Sequence, residues 1–132
     1  MSSNPTVVSA VAWKAAPAEH DYPAAADYLA LVLTDKQVKR VVAALRTAPQ
    51  VRKKAKDIER ASGLPMLSAT NPHVAADLKK VKNGEALSPI LLVRGRWTDG
   101  APLMIADGYH RMCASYLLDE NAEIPCHIVD VS

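Results

Sequence analysis

The stretch Ile105-Ala106-Asp107-Gly108-Tyr109-His110-Arg111-Met112-Cys113-Ala114 holds two incompatible periodicities back to back. An apolar run from Pro102 to Ala106 stops at Asp107-Gly108, and a helical register of Met112, Cys113, Tyr116 and Leu117 takes over. The spacing therefore predicts a strand, a tight turn and a helix N-terminus. A junction of this kind gathers unpaired backbone N–H groups and the positive end of the helix dipole, and His110 and Arg111 add side-chain donors. Adjacent basic residues in a first turn oppose the dipole unless an anion compensates, and phosphate suits the geometry. The plainer alternative makes Gly108 a turn glycine, Asp107 an N-cap, and His110 and Arg111 exposed first-turn residues.

Asp107-Gly108-Tyr109-His110-Arg111 and Ala114, preceded by Pro89-Ile90-Leu91-Leu92-Val93 and followed by Ile124-Pro125-Cys126-His127-Ile128-Val129, resemble the core of the ParB/sulfiredoxin superfamily over residues 71–131. Sulfiredoxins carry Gly-Cys-His-Arg at this turn, ParB-type proteins Gly-Glu-Arg-Arg, and free-serine kinases Asp-Gly-His-His-Arg. Gly108 and Arg111 match all of them, His110 matches the first and last, and Tyr109 matches none. The resemblance implies a small mixed sheet, hence an α/β (α+β) fold. It also implies that the turn grips a nucleoside di- or triphosphate with Mg²⁺ through Gly108, Tyr109, His110 and Arg111, with Asp107 and His110 as catalytic groups. Tyr109 stands where sulfiredoxins carry their nucleophilic cysteine, which argues against sulfinic acid reduction. It also replaces the acidic residue that ParB-type proteins use in nucleotide hydrolysis. The expected function is nucleotide binding, with phosphotransfer to a small molecule or nucleotide hydrolysis as the activity. A ParB-like DNA-binding or nuclease-like protein is the second choice, and a non-enzymatic interaction domain the third.

With 132 residues, the chain is long enough for one domain with a proper core. A net charge of +2 excludes neither nucleic acid nor small anions, but an aromatic content of 5% leaves few rings for stacking single-stranded nucleic acid. No apolar run approaches a membrane span. Two cysteines, Cys113 and Cys126, without a secretory leader ahead of them, point to reduced thiols and the cytoplasm. Zinc ligation by His110, Cys113, Cys126 and His127 is disfavoured, because Cys126 and His127 are strand neighbours that face opposite ways.

The N-terminal half, residues 1–66, reads as a helical extension that either covers one face of the sheet or caps the nucleotide. Residues 1–9 are small and polar, and Ala10 to Trp13 suit a short strand. A loop follows, in which Glu19-His20-Asp21 is the densest titratable group; loops often carry catalytic residues, but a solvated loop is the favoured reading, since nothing in the spacing demands a shared site. Helices are expected over 23–33, from the Thr34-Asp35-Lys36-Gln37 capping box through Leu45, and over 51–62. The first two should form a hairpin. The basic run Arg52, Lys53, Lys54 and Lys56 then lies on a solvated helix face balanced by Asp57 and Glu59, with a nucleic-acid footprint as the alternative. Asn71-Pro72 starts another helix, ended by Asn83-Gly84, whose Lys79 and Lys80 read as surface lysines or as a reach toward phosphate. Strands are expected over 88–94, 102–106 and 124–131, the first two joined by a turn over 95–100.

Overall fold

The computed structural model describes residues 11–96 and 102–131. The segment expected to be small and polar, 1–9, and most of the expected turn over 95–100 lie outside these residues. In chain order the elements are α1 (Asp21–Leu29), α2 (Asp35–Thr47), β1 (Gln50–Lys54), α3 (Ala55–Ser62), α4 (Pro72–Lys82), β2 (Ile90–Arg94), β3 (Met104–Asp107), α5 (Tyr109–Leu118) and β4 (Glu123–Asp130). The fold is α+β, around a four-stranded mixed sheet in the order β1-β4-β2-β3. β2 and β4 pair in parallel, and the other neighbours are antiparallel.

The continuous apolar run of β2 explains the layering. Ile90, Leu91, Leu92 and Val93 are all fully buried, which a strand can satisfy only when both faces of its sheet are covered. Alternation divides them: Ile90 and Leu92 join Ile105, Ile124 and Cys126 under α3, α4 and α5, whereas Leu91 and Val93 join Ala106 and Val131 under α1 and α2. The α1–α2 hairpin thus covers one sheet face. Its return is set by Thr34, whose side chain accepts from the Gln37 N–H at 3.2 Å while Gln37 accepts from the Thr34 N–H at 2.9 Å. Arg40 donates to the Val131 carbonyl at 2.8 Å and ties α2 to the end of β4.

The expected helix over 51–62 is corrected. Residues Gln50–Lys54 are a fully exposed edge strand, and only Ala55–Ser62 is helical. Lys and Arg favour helices in isolation, but β4 has a free row of backbone donors and acceptors that only another strand can satisfy. Pairing of Val51 with Cys126 and of Lys53 with Ile124 meets that demand, and the charges blunt the remaining open edge. The helix starts where Ala122 and Glu120 carbonyls accept the Ala55 and Lys56 N–H groups, both at 2.9 Å. The basic run therefore decorates a sheet edge rather than a helix face. The segment read as a purely helical extension contributes a strand to the shared sheet.

Smaller boundary shifts have equally local causes. α1 begins two residues before the expected 23 and ends at Leu29, because the chain must turn through 30–33 to reach Thr34. The strand expected around Ala10 to Trp13 reduces, within the described residues, to a single parallel bridge between Trp13 and Leu87. α4 starts as expected, with Asn71 Oδ1 accepting from the N–H groups of His73 at 3.0 Å and Val74 at 3.2 Å.

Candidate functional site

β3 runs out at Asp107, and the chain turns into α5 through Gly108, whose φ of 110° is open only to glycine in practice. There is also no room for a side chain: a Cβ there would lie 2.3 Å from Cγ2 of Ile90 and 3.0 Å from Nη2 of Arg111. The glycine lets the turn sit directly on β2. The first N–H groups of α5 consequently open beside Asp107.

Here a pocket of about 270 Å³ is lined by His73, Ala76, Asp77 and Lys80 of α4 and by Asp107, Gly108, His110 and Arg111. Residues 73, 77 and 80 follow helical spacing, so α4 presents one polar stripe to the mouth of α5. The His73 and His110 rings stand 4.7 Å apart between centroids. A larger cavity of about 420 Å³ lies between the α1–α2 turn and β3, among residues such as Tyr28, Leu33, Leu103 and Met104. Among the described residues its walls carry no carboxylate or imidazole, whereas the smaller pocket gathers two of each, which makes it the candidate site.

Arg111 is not an exposed first-turn residue. Its side chain is 17% exposed, and Nη2 donates to Asp107 Oδ2 at 3.0 Å and to the Pro89 carbonyl at 3.3 Å. Nor is Asp107 the helix cap: Gly108 holds that position, and the carboxylate is turned onto the guanidinium. The N-terminal triplet is corrected as well. Glu19 pairs with Arg46 at 2.7 Å and His20 is solvated, but Asp21 is buried with Oδ2 3.9 Å from Nη2 of Arg111. Arg46 also stacks over the Tyr22 ring at 4.1 Å, which pins the start of α1 in place.

The electrostatics follow from burial. Removal from water pushes Asp107 above the usual carboxylate range; Arg111 opposes this by charge and hydrogen bond, while Asp21 reinforces it as a like charge and a hydrogen-bonding neighbour. Asp77 is also pushed up by burial, against the pull of Arg111, Lys80, His110 and His73. Burial and the neighbouring His73 lower His110 below an ordinary imidazole. The free pocket thus favours a neutral His110 and carboxyl groups that hold protons more firmly than usual.

Gly108, His110, Arg111 and Asp107 line one pocket. Tyr109 does not join them with its side chain: the phenol donates to the Pro65 carbonyl and anchors the loop before α4, leaving only its backbone at the turn. The sequence reading misses His73 and Asp77 and leaves Asp21 in a solvated triplet. The 73/77/80 spacing was a usable signal for the first two; no sequence signal links Asp21 to a turn far along the chain. Cys126 faces the α3–α5 core, whereas His127 faces α2 and donates from Nδ1 to the Ala48 carbonyl at 2.9 Å. Cys113 and Cys126 are both buried thiols. No group of three or more His, Cys, Asp or Glu suited to a metal occurs among the described residues.

Comparison of the chain with protein-family models, with curated proteins and with solved structures yields no match. No helix among the described residues is long and apolar enough to cross a membrane.

Proposed function

We propose that the pocket at the start of α5 binds the phosphates of a nucleoside di- or triphosphate and that the protein transfers a phosphoryl group to a small-molecule hydroxyl. The observation that carries this reading is the convergence of a helix N-terminus with His110, Arg111, Lys80 and the carboxyl of Asp107 around one polar pocket. Backbone N–H groups and cations would balance phosphate charge, and a carboxyl with a raised proton affinity suits a general base. The proton of the acceptor hydroxyl passes to Asp107, its oxygen bonds to phosphorus, and the bond from phosphorus to the leaving nucleotide oxygen breaks. The resemblance of Asp107 to Arg111 to the ParB/sulfiredoxin turn supports the same assignment.

Asp77 and Asp107 are the carboxylates in the described lining of the pocket, and the hard oxygens of Asp77 suit a Mg²⁺ ion carried in with the phosphates. Such an ion supplies charge neutralisation at the phosphate oxygens when bound. Asp77 would hold it, since Asp107 is already engaged with Arg111.

Thermal-shift and calorimetric titrations with ATP, ADP, CTP and GTP, with and without Mg²⁺, test the proposal. At a hundred times its dissociation constant, a bound ligand stabilises the native state by about 2.7 kcal/mol, which is readily measured. Stabilisation that disappears in Lys80→Ala is the expected result; no response to any nucleotide at millimolar concentration overturns the reading.

A further inference from the structure

A carboxylate in the first turn of a helix ordinarily faces water, yet the Asp21 side chain is only 4% exposed. Oδ2 accepts from the Ala18 N–H at 3.1 Å, and Oδ1 lies 3.3 Å from His20 Nε2. Oδ2 also approaches Nη2 of Arg111 at 3.9 Å, the same nitrogen that Asp107 holds at 3.0 Å. One guanidinium therefore answers carboxyls from α1 and from β3, although α1 and α5 cover opposite faces of the sheet.

Charge decides what such an arrangement does. A buried carboxylate is costly unless paired, and a single guanidinium cannot neutralise two of them. Asp21 is therefore a second negative charge beside the one guanidinium that Asp107 already holds, and it adds to the burial that raises the proton affinity of Asp107. Only Asp107 of the two lines the pocket. Around them, Arg111 and His110 face inward from α5, His73, Asp77 and Lys80 from α4, and His20 from the start of α1.

We infer that Asp21 is a positioning residue of the site: from behind the pocket wall it holds Arg111 and stands as a like charge near Asp107, so that Asp107 is the carboxyl that exchanges a proton with bound phosphate or its acceptor. The inference rests on the anion-binding reading for its ligand, but not for the coupling of the two carboxyls. The burial of Asp21 keeps it off the substrate, which separates its role from that of Asp107.

Side-chain carboxyl carbon NMR on the full chain tests the coupling without any ligand. In the parent, the Asp107 signal should titrate above the usual carboxylate range; a midpoint at or below that range overturns the inference. In Asp21→Asn, the Asp107 midpoint should fall by about half a pH unit or more, because a like charge is replaced by a neutral amide. An unmoved or raised midpoint in the folded variant also overturns it. A residue acting only in packing would lower the melting temperature and leave that midpoint alone. Repeating the parent titration with ADP separates the two readings: bound ADP raises the Asp107 midpoint, and an Asp107 midpoint that falls in Asp21→Asn but is indifferent to ADP leaves the Asp21 assignment standing while nucleotide binding fails.

Discussion

Gly108→Ala is the sharpest test of the turn on which the site depends. The methyl group meets two separate penalties. A φ of 110° lies beyond the left-handed region that L-residues tolerate, which costs about 1–3 kcal/mol. The new Cβ would also stand 2.3 Å from Cγ2 and 2.7 Å from Cβ of Ile90, a residue fully buried on a central strand, and overpacking of that kind costs about 1–3 kcal/mol. Together they amount to about 2–6 kcal/mol, a large share of the roughly 5–15 kcal/mol that holds a typical domain together. For a chain of this length, at about 3–4 °C per kcal/mol, the melting temperature should fall by roughly 6–24 °C. Urea unfolding with an unchanged slope measures the loss, and a double-mutant cycle with Ile90→Ala divides it. Removing Cγ2 relieves the closest contact but leaves the backbone strain, so the two substitutions should be less than additive by about 1 kcal/mol. A Gly108→Ala protein within about 1 kcal/mol of the parent, or strict additivity with Ile90→Ala, would refute the reasoning.

Arg111→Ala should weaken nucleotide binding at least about ten-fold and also destabilise the fold, since Asp107 and Asp21 lose their shared cation; Arg111→Lys should restore part of both, and calorimetry with urea unfolding would show whether the losses travel together. Burial raises the Cys113 thiol and pushes Cys126 up to about 11, so neither should react with iodoacetamide in the native state; rapid alkylation of either, read by mass spectrometry, contradicts its burial. Because His110 is lowered in the fold, its contribution to stability is present above 6.5 and lost as pH falls through the folded value. His110→Asn should therefore lose less stability than the parent between about pH 7.5 and 5.5 in urea titrations, and equal losses would count against the assignment. Mononucleotide affinity should depend only weakly on salt, whereas duplex DNA should bind weakly and without regard to Arg111; tight, salt-steep DNA binding lost on changing Arg52, Lys53 and Lys54 to Ala would favour the nucleic-acid reading instead.

The elements most legible in the sequence are those whose local signals agree. The Thr34 capping box, the Asn71-Pro72 helix start, the buried run of β2 and the Asp107-Gly108 turn each carry their own stereochemical reason and reappear in the fold. Residues 50–54 do not, because a basic stretch has no apolar stripe to declare itself. Its strand is imposed by the open edge of β4, which only the assembled sheet creates. The site divides along the same line. Gly108, His110 and Arg111 are neighbours in sequence, so their convergence is a property of one turn. His73, Asp77 and Lys80 share an α4 face through helical spacing, but that the face looks at α5 depends on packing. Asp21 is the extreme case: a first-turn carboxylate of α1, expected from the sequence to lie in a solvated loop, becomes a buried partner of Arg111 because the α1–α2 hairpin lies on the other side of the sheet and meets α5 at the end of β3. Burial and long-range charge pairing depend on which surfaces the fold brings together, and only the tertiary structure decides that.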